Sequence, residues 1–310
     1  MQYQSLFQLH KPGNRKNSQR FHKTLHCLKK TIISDSTKLT NKTLFMRKLL
    51  KPFCAILAGF MLFASCSKEE RSESMDIQLT DETLAQISAM GFSPLDVQVV
   101  DGKYLVEGDI LISPSELGQR PSSPRLRIAE TEQYHTFNLV TGLPRTITVS
   151  TSGNIPAELS AGIDAAIARY NAADLALTFT RVASNGNINI RVVRTAQFIA
   201  SAGFPTGGNP YNEIQYASRY TKGYSKDFIT TVLAHEMGHC IGFRHTDYMN
   251  RAYSCGSGGN EGQETTGVGA VQIPGTPSDP DAGSWMLACL SASTNRPFNA
   301  NDLVALNYLY

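Results

Sequence analysis

From residue 78 onward the chain alternates between two hydrophobic rhythms. Leu84, Ile87 and Met90 recur at i, i+3 and i+6 behind Thr80-Asp81-Glu82 and stop at Gly91, which predicts a short helix with a capped start. Val99-Val100 and Tyr104-Leu105-Val106 flank Asp101-Gly102, the dipeptide a tight hairpin turn prefers. Residues 145–150 alternate with period two, as a half-buried strand does. Helical spacing returns over about 156–172: Leu159, Ile163, Ile167 and Tyr170 share one face, and Pro156 suits the first helical position. Residues 177–179 and 188–193 read as strands, and residues 213–216 as an edge strand. Ser225 caps a second long helix with Asp227 in its first turn and Phe228, Ile229, Val232, Leu233, Cys240 and Ile241 as its apolar residues. A final helix starts near Asn299 to Asp302 and carries Leu303, Leu306 and Leu309. There is no internal repeat. The mixture predicts an α+β unit of about 180 residues, a common domain size.

Turn-rich stretches divide the chain. Residues 113–126 are rich in Ser, Pro and Arg and read as a linker, and residues 255–283 are Gly/Pro-rich and irregular. The expected organisation is a tether and small preceding module over 66–128 and the main unit over 129–310.

Residues 46–65 read as an export signal. Met46-Arg47-Lys48 and Lys51 precede a short apolar run from Phe53 to Ser65, too brief to span a bilayer. It ends Leu62-Phe63-Ala64-Ser65-Cys66, which resembles a bacterial lipobox, so Cys66 is the expected lipid attachment point. The implied location is the outer membrane or cell surface, with the membrane engaged only through that lipid; an ordinary cleaved signal would instead give a secreted protein. Residues 1–45 are basic and precede a complete signal. They read either as a misassigned start, with Met46 the true one, or as a disordered basic extension.

Charge follows the same division. Residues 1–66 hold 12 of the 29 Lys and Arg residues and one acid, Asp35, leaving 17 basic against 25 acidic residues, a net charge of −8. An acidic exported part offers no broad basic surface for nucleic acid. Beyond Cys66 three cysteines remain. Outside the cytoplasm two of them can pair, and Cys255 with Cys289 is the expected pair because both flank the irregular loop; Cys240 would be a buried thiol.

Three of the seven histidines fall within eleven positions, in the run His235-Glu236-Met237-Gly238-His239-Cys240-Ile241-Gly242-Phe243-Arg244-His245. Residues four apart on a helix share a face, so His235 and His239 can meet one ion. Glu236 projects beside it, placed to take a proton as a general base. Gly242 can end the helix and bring His245 back as a third ligand. Three protein ligands leave a position for water, as catalytic zinc sites do. Asp247 is a competing third ligand, since oxygen also binds zinc.

This run resembles the metzincin signature HExxHxxGxxH, and more narrowly it is similar to the bacterial HEIGH metallopeptidases of that clan. The resemblance covers roughly residues 130–310. It implies a metzincin-like catalytic domain: a twisted mixed sheet, a backing helix, an active-site helix and a C-terminal helix. It implies Zn2+ as cofactor, a polypeptide substrate, and endopeptidase activity with Glu236 as base. It also implies a methionine turn beneath the metal, for which Met286, 41 residues after His245, is the candidate. Ala288 stands where some relatives place a zinc-reaching tyrosine. Val106-Glu107-Gly108-Asp109-Ile110 resembles the astacin propeptide motif, in which an aspartate occupies the zinc. Asp109 is therefore either a zymogen switch, released by cleavage in the Arg-containing linker or before Arg145, or a turn aspartate leading into a strand. In metzincins the substrate pairs with an edge strand, here expected near Ile214-Gln215-Tyr216, and residues 274–284 are candidates for a pocket wall. The alternative to an enzyme is a surface binding protein or adhesin that uses zinc for stability.

Overall fold

Helix α1 (Asp81–Ala89) starts at Thr80, whose hydroxyl accepts from the Thr83 amide. Strands β1 (Gln98–Val100), β2 (Lys103–Val106) and β3 (Ile110–Ile112) follow as an antiparallel sheet. The Asp101-Gly102 turn takes the left-handed conformation the sequence signals, with φ of 48° and 75°. β2 and β3 bury both faces. Tyr104, Val106, Ile110 and Ile112 meet Ile87, Phe92 and Val97 in a small core that Phe204 completes, while Leu105 and Leu111 enter the main core. These features come from a computed structural model in which residues 77–117, 133–261, 269–277 and 279–310 are described. The export signal, Cys66 and most of the linker lie outside them.

The main sheet holds β5 (Arg145–Ser152), β6 (Leu177–Arg181), β7 (Ile188–Val193), β8 (Ala200–Ser201) and β9 (Glu213–Ala217) in the order β6-β5-β7-β9-β8. All its pairs are parallel except β8 with β9. Residues 213–216 are therefore not the edge. β7 and the two-residue β8 cover both sides of β9, and a strand as short as β8 leaves no alternation to read. A further pair joins β4 (Tyr134–His135) to β10 (Val271–Gln272).

Helices α2 (Ala157–Asn171) and α3 (Lys226–Ile241) lie against one another. The Tyr170 hydroxyl donates to the Ala234 carbonyl at 2.7 Å. Pro156 is the cap of α2 rather than its first residue: its φ of −63° suits the helix, but its ψ of 160° is extended. Every residue of α3 from Phe228 to Ile241 is buried, polar ones included. No helix among the described residues is long and apolar enough to cross a membrane.

Helix α5 (Ala300–Leu309) opens with a reciprocal cap between Asn299 and Asp302. The buried Asp302 carboxylate also accepts from Gln133 Nε2 at 2.7 Å and from the Trp285 amide at 3.3 Å. One side chain thus ties α5 to the loop under α3. Asp302→Ala would leave those donors buried without a partner and should cost about 2–4 kcal/mol in denaturant unfolding. A loss under about 0.5 kcal/mol would show that the tie carries no stability.

Candidate active site

Helix α3 sets His235 and His239 one turn apart and ends at Gly242, where φ is 114°. A Cβ at Gly242 would lie 2.8 Å from the Asn138 carbonyl oxygen and from Leu139 Cδ2, so only glycine fits this sharp exit. The turn returns His245 to the other two histidines. His239 Nε2 lies 3.0 Å from His235 Nε2 and 3.2 Å from His245 Nε2.

The opposite ring nitrogens decide what those distances mean. His235 Nδ1 is 2.9 Å from the Trp285 carbonyl, and His239 Nδ1 is 2.8 Å from the Phe243 carbonyl. His245 Nδ1 is 2.8 Å from Glu261 Oε1. Burial works to raise the Glu261 pKa, but His245 and then Arg251 outweigh it and hold it at about 2. Carbonyls only accept, so Nδ1 of His235 and of His239 carries the proton and their Nε2 atoms present lone pairs. His245 lies between two carboxylates, Glu261 at Nδ1 and Asp109 2.7 Å from Nε2; burial works to lower its pKa, but Asp109 and then Glu261 hold it well above the usual value. Burial pushes His235 down to about 4 and His239 below its usual range, which keeps both imidazoles in the neutral, ligating form. The lone pairs of His235 and His239 face one another and repel unless a cation lies between them. Donors about 2.0–2.1 Å from a tetrahedral zinc stand about 3.3 Å apart, close to the spacing here. The donor set therefore fits zinc.

Asp109 supplies a fourth donor. Its Oδ2 lies 2.7 Å from His245 Nε2 and 3.6 Å from the Nε2 atoms of His235 and His239. The four ligand atoms lie within 4.8 Å of one another. Burial works to raise the Asp109 pKa, but His245 foremost, with His235 and His239, holds it well below the carboxylate range. The residue occupies the turn between β2 and β3. β3 is fixed on the main unit by two backbone bonds: Leu111 amide to Ala202 carbonyl at 2.7 Å, and Ala202 amide to Asp109 carbonyl at 2.9 Å. Both sequence readings of Asp109 thus describe its position: it is a turn residue, and its carboxylate faces the histidines.

Glu236 is fully buried, and neither carboxyl oxygen has a hydrogen-bond partner among the described residues. Burial first, then Asp109, pushes its pKa well above the usual value. A buried carboxyl without a partner is costly and calls for a role.

Trp285 and Met286 pass beneath α3. A Cβ on Gly238 would lie 2.6 Å from Met286 Sδ, so glycine at this helical position lets the turn approach. The Trp285 carbonyl orients His235, and the Met286 carbonyl accepts from the Thr246 amide at 2.9 Å. Asp247 is not among the converging donors. Its oxygens accept from Ser254 Oγ at 2.6 Å and the Ala288 amide at 3.0 Å, bracing α4 (Ala252–Cys255) against the methionine turn. Cys255 and Cys289 form a disulfide, and Cys240 is a buried free thiol whose pKa burial pushes well up. Within residues 274–284, Thr276 accepts from the Gln133 amide and Asp281 from Asn299 and Asn301.

Sequence reasoning missed Glu261, Glu107, Arg244 and Arg251, which surround His245. Arg244 Nη2 lies 3.1 Å from Glu107 Oε1 and 3.7 Å from Glu261 Oε2. Arg251 Nη1 lies 3.3 Å from Glu261 Oε1. Burial lifts Glu107 to about 8, with Arg244 as the chief opposing influence. Arg244 sits inside the histidine motif and was legible only as a charge in an apolar context. The others follow no spacing rule.

A histidine, glutamate and histidine on one buried helix, joined by a third histidine beyond a glycine turn, define a metal-dependent hydrolase. The model of the dual-action HEIGH metallo-peptidase family matches residues 105–310, and the chain belongs to that family. It is a zinc metallopeptidase. No curated protein matches it. Among solved structures, myroilysin matches with a TM-score of 0.39 and 16% identity, covering 56% of this chain and 96% of that one. A second myroilysin structure gives a TM-score of 0.36 and 15% identity, covering 59% and 96%. High choriolytic enzyme 1, a hatching enzyme zinc-protease from Oryzias latipes (medaka fish), gives 0.35 and 16%, covering 53% and 88%.

The Glu261–His245 contact carries a prediction. Glu261→Gln keeps an acceptor but removes the charge, and should weaken zinc binding by about tenfold or more in chelator competition. Unchanged affinity would mean that the carboxylate does not act through the imidazole.

Proposed function

We propose that the protein is an exported zinc endopeptidase made in a latent form. His235, His239 and His245 hold the zinc, Glu236 is the general base, and Asp109 fills the remaining position until the β2–β3 hairpin is displaced. The observation that carries this reading is the convergence of three imidazoles, each fixed through Nδ1, on the Asp109 carboxylate. Four protein donors would also suit a structural zinc. The family membership and the partnerless Glu236 favour the latent enzyme.

Bound zinc supplies a Lewis acid that polarises the scissile carbonyl and acidifies water. The remaining chemistry belongs to side chains. An oxygen of Glu236 accepts a proton from the attacking water as the new C–O bond forms. The same carboxyl then delivers that proton to the amide nitrogen as the C–N bond breaks. Export is supported by the signal-like residues 46–65 and by the Cys255–Cys289 disulfide, which needs an oxidising compartment; lipidation at Cys66 then anchors the enzyme.

The test uses the full chain and denatured protein substrate. Asp109→Ala should release turnover that a chelator abolishes. Adding Glu236→Gln should lower that turnover by roughly 10²–10⁴-fold while zinc stays bound. A chain equally silent with and without Asp109 would remove the latch, and turnover that survives Glu236→Gln would remove the base. In a bacterial host, Cys66→Ser should abolish incorporation of labelled fatty acid; labelling that persists would place the lipid elsewhere.

A further inference from the structure

Ser201 and Gln215 are buried, and Ser201 Oγ and Gln215 Oε1 have no hydrogen-bond partner among the described residues. They stand directly opposite each other in the β8–β9 pair, so both side chains leave the same face of the sheet. Their neighbours Ala200 and Tyr216 turn the other way, into the main core that α3 shares. The Gln215 amide is already oriented. Its Nε2 donates to Glu213 Oε1 at 3.0 Å, and Glu213 is itself held by Arg191 Nε at 2.9 Å and by Lys103 Nζ at 3.5 Å. With the nitrogen committed to a carboxylate, Oε1 is left as a fixed acceptor. A buried, oriented acceptor without a donor is costly and calls for a role.

The hairpin helps cover this face. Lys103 of β2 reaches Glu213, and Leu105, two residues on, shares the side of β2 that carries Lys103. The hairpin also runs along the edge nearest the metal. β8 is the outermost strand of the main sheet, and Ile110 is bridged in parallel to Ala202, the residue that follows it. Asp109 is therefore in register with Ser201, and the Asp109 carboxylate is the one that faces the histidines. A polypeptide that takes the place of β3 along this edge sets one side chain beside Ser201 and Gln215, close to the backbone that meets the metal.

We propose that Ser201 and Gln215 form a substrate subsite for a carboxamide side chain, Asn or Gln, within two residues of the bond that is cut. The amide N–H donates to Gln215 Oε1, and the amide oxygen accepts from the Ser201 hydroxyl, so both unpartnered groups are paired at once. A carboxylate has no hydrogen to offer Gln215 Oε1, an apolar side chain leaves both groups unpaired, and an ammonium group loses its hydration in a dry site. This inference rests on the peptidase reading above and adds no covalent step. Ser201 and Gln215 act in recognition, as specificity-determining residues.

Two measurements test it on the zinc-loaded full chain carrying Asp109→Ala. With a peptide library as substrate, product ends should show Asn and Gln together enriched at least about tenfold at one position within two residues of the cut. Adding Ser201→Ala and Gln215→Met, which removes both polar groups at little change in shape, should erase that enrichment. Cleavage without amide enrichment, or enrichment that survives the added substitutions, overturns the inference. The second measurement needs no turnover. The Asp109→Ala chain, with Glu236→Gln added, is titrated into fluorescently labelled Ala-Ala-Gln-Ala-Ala-Ala and Ala-Ala-Met-Ala-Ala-Ala. The Gln peptide should bind about tenfold tighter. Equal affinity, or no binding of the Gln peptide, overturns it. A Gln preference in binding without any cleavage would defeat the peptidase reading and leave the subsite standing; cleavage without amide preference would do the reverse.

Discussion

The structure turns on a single electrostatic constraint: three imidazole Nε2 atoms and one carboxylate are brought together in a dry interior. Each imidazole is held there by a different part of the chain. The Phe243 carbonyl fixes His239 from the turn that ends α3, the Trp285 carbonyl fixes His235 from the methionine turn, and Glu261 fixes His245 from a distant loop. A zinc ion held by these donors would couple metal binding to folding. Much of the surrounding architecture serves this convergence. Asp302 holds Trp285, Asp247 braces α4 against the methionine turn, and the Cys255–Cys289 disulfide closes the same region.

The hairpin that carries Asp109 is embedded in the fold. Leu105 and Leu111 are buried in the main core, while their neighbours along each strand form the small core under α1. A carboxylate positioned this firmly would compete well with water for a bound metal, because the entropy of placing it is lost on folding. In the proposed latent form the same rigidity would keep substrate out of the site. On that proposal, activation would require disrupting a packed hairpin, and a cut in the chain between residues 117 and 133 would free its C-terminal side.

The parts of this fold that local rules govern were legible in the sequence. Helix caps at Thr80, Ser225 and Asn299 sit where a side-chain oxygen precedes an apolar run. The Asp101-Gly102 turn followed from φ preferences, and the histidine spacing from helical geometry. Non-local pairings were not legible. β9 has the alternation of any half-buried strand, and nothing in its own residues reveals that β8 will cover it. Glu261 lies 16 residues beyond His245 in a Gly-rich stretch and reaches it only through the tertiary fold. Asp109 left two readings open, because a turn residue and a metal-facing residue use the same loop conformation. The packing of Leu105 and Leu111 and the backbone bonds to Ala202 aim that loop at the histidines.

The central claim is that three imidazoles and one carboxylate share a single zinc ion, and X-ray absorption at the zinc edge of the full chain addresses it directly. One zinc per chain is expected, with only nitrogen and oxygen donors at about 2.0–2.1 Å and the multiple-scattering pattern of three imidazoles. A sulfur donor, an all-oxygen shell or fewer than three imidazoles would contradict the site.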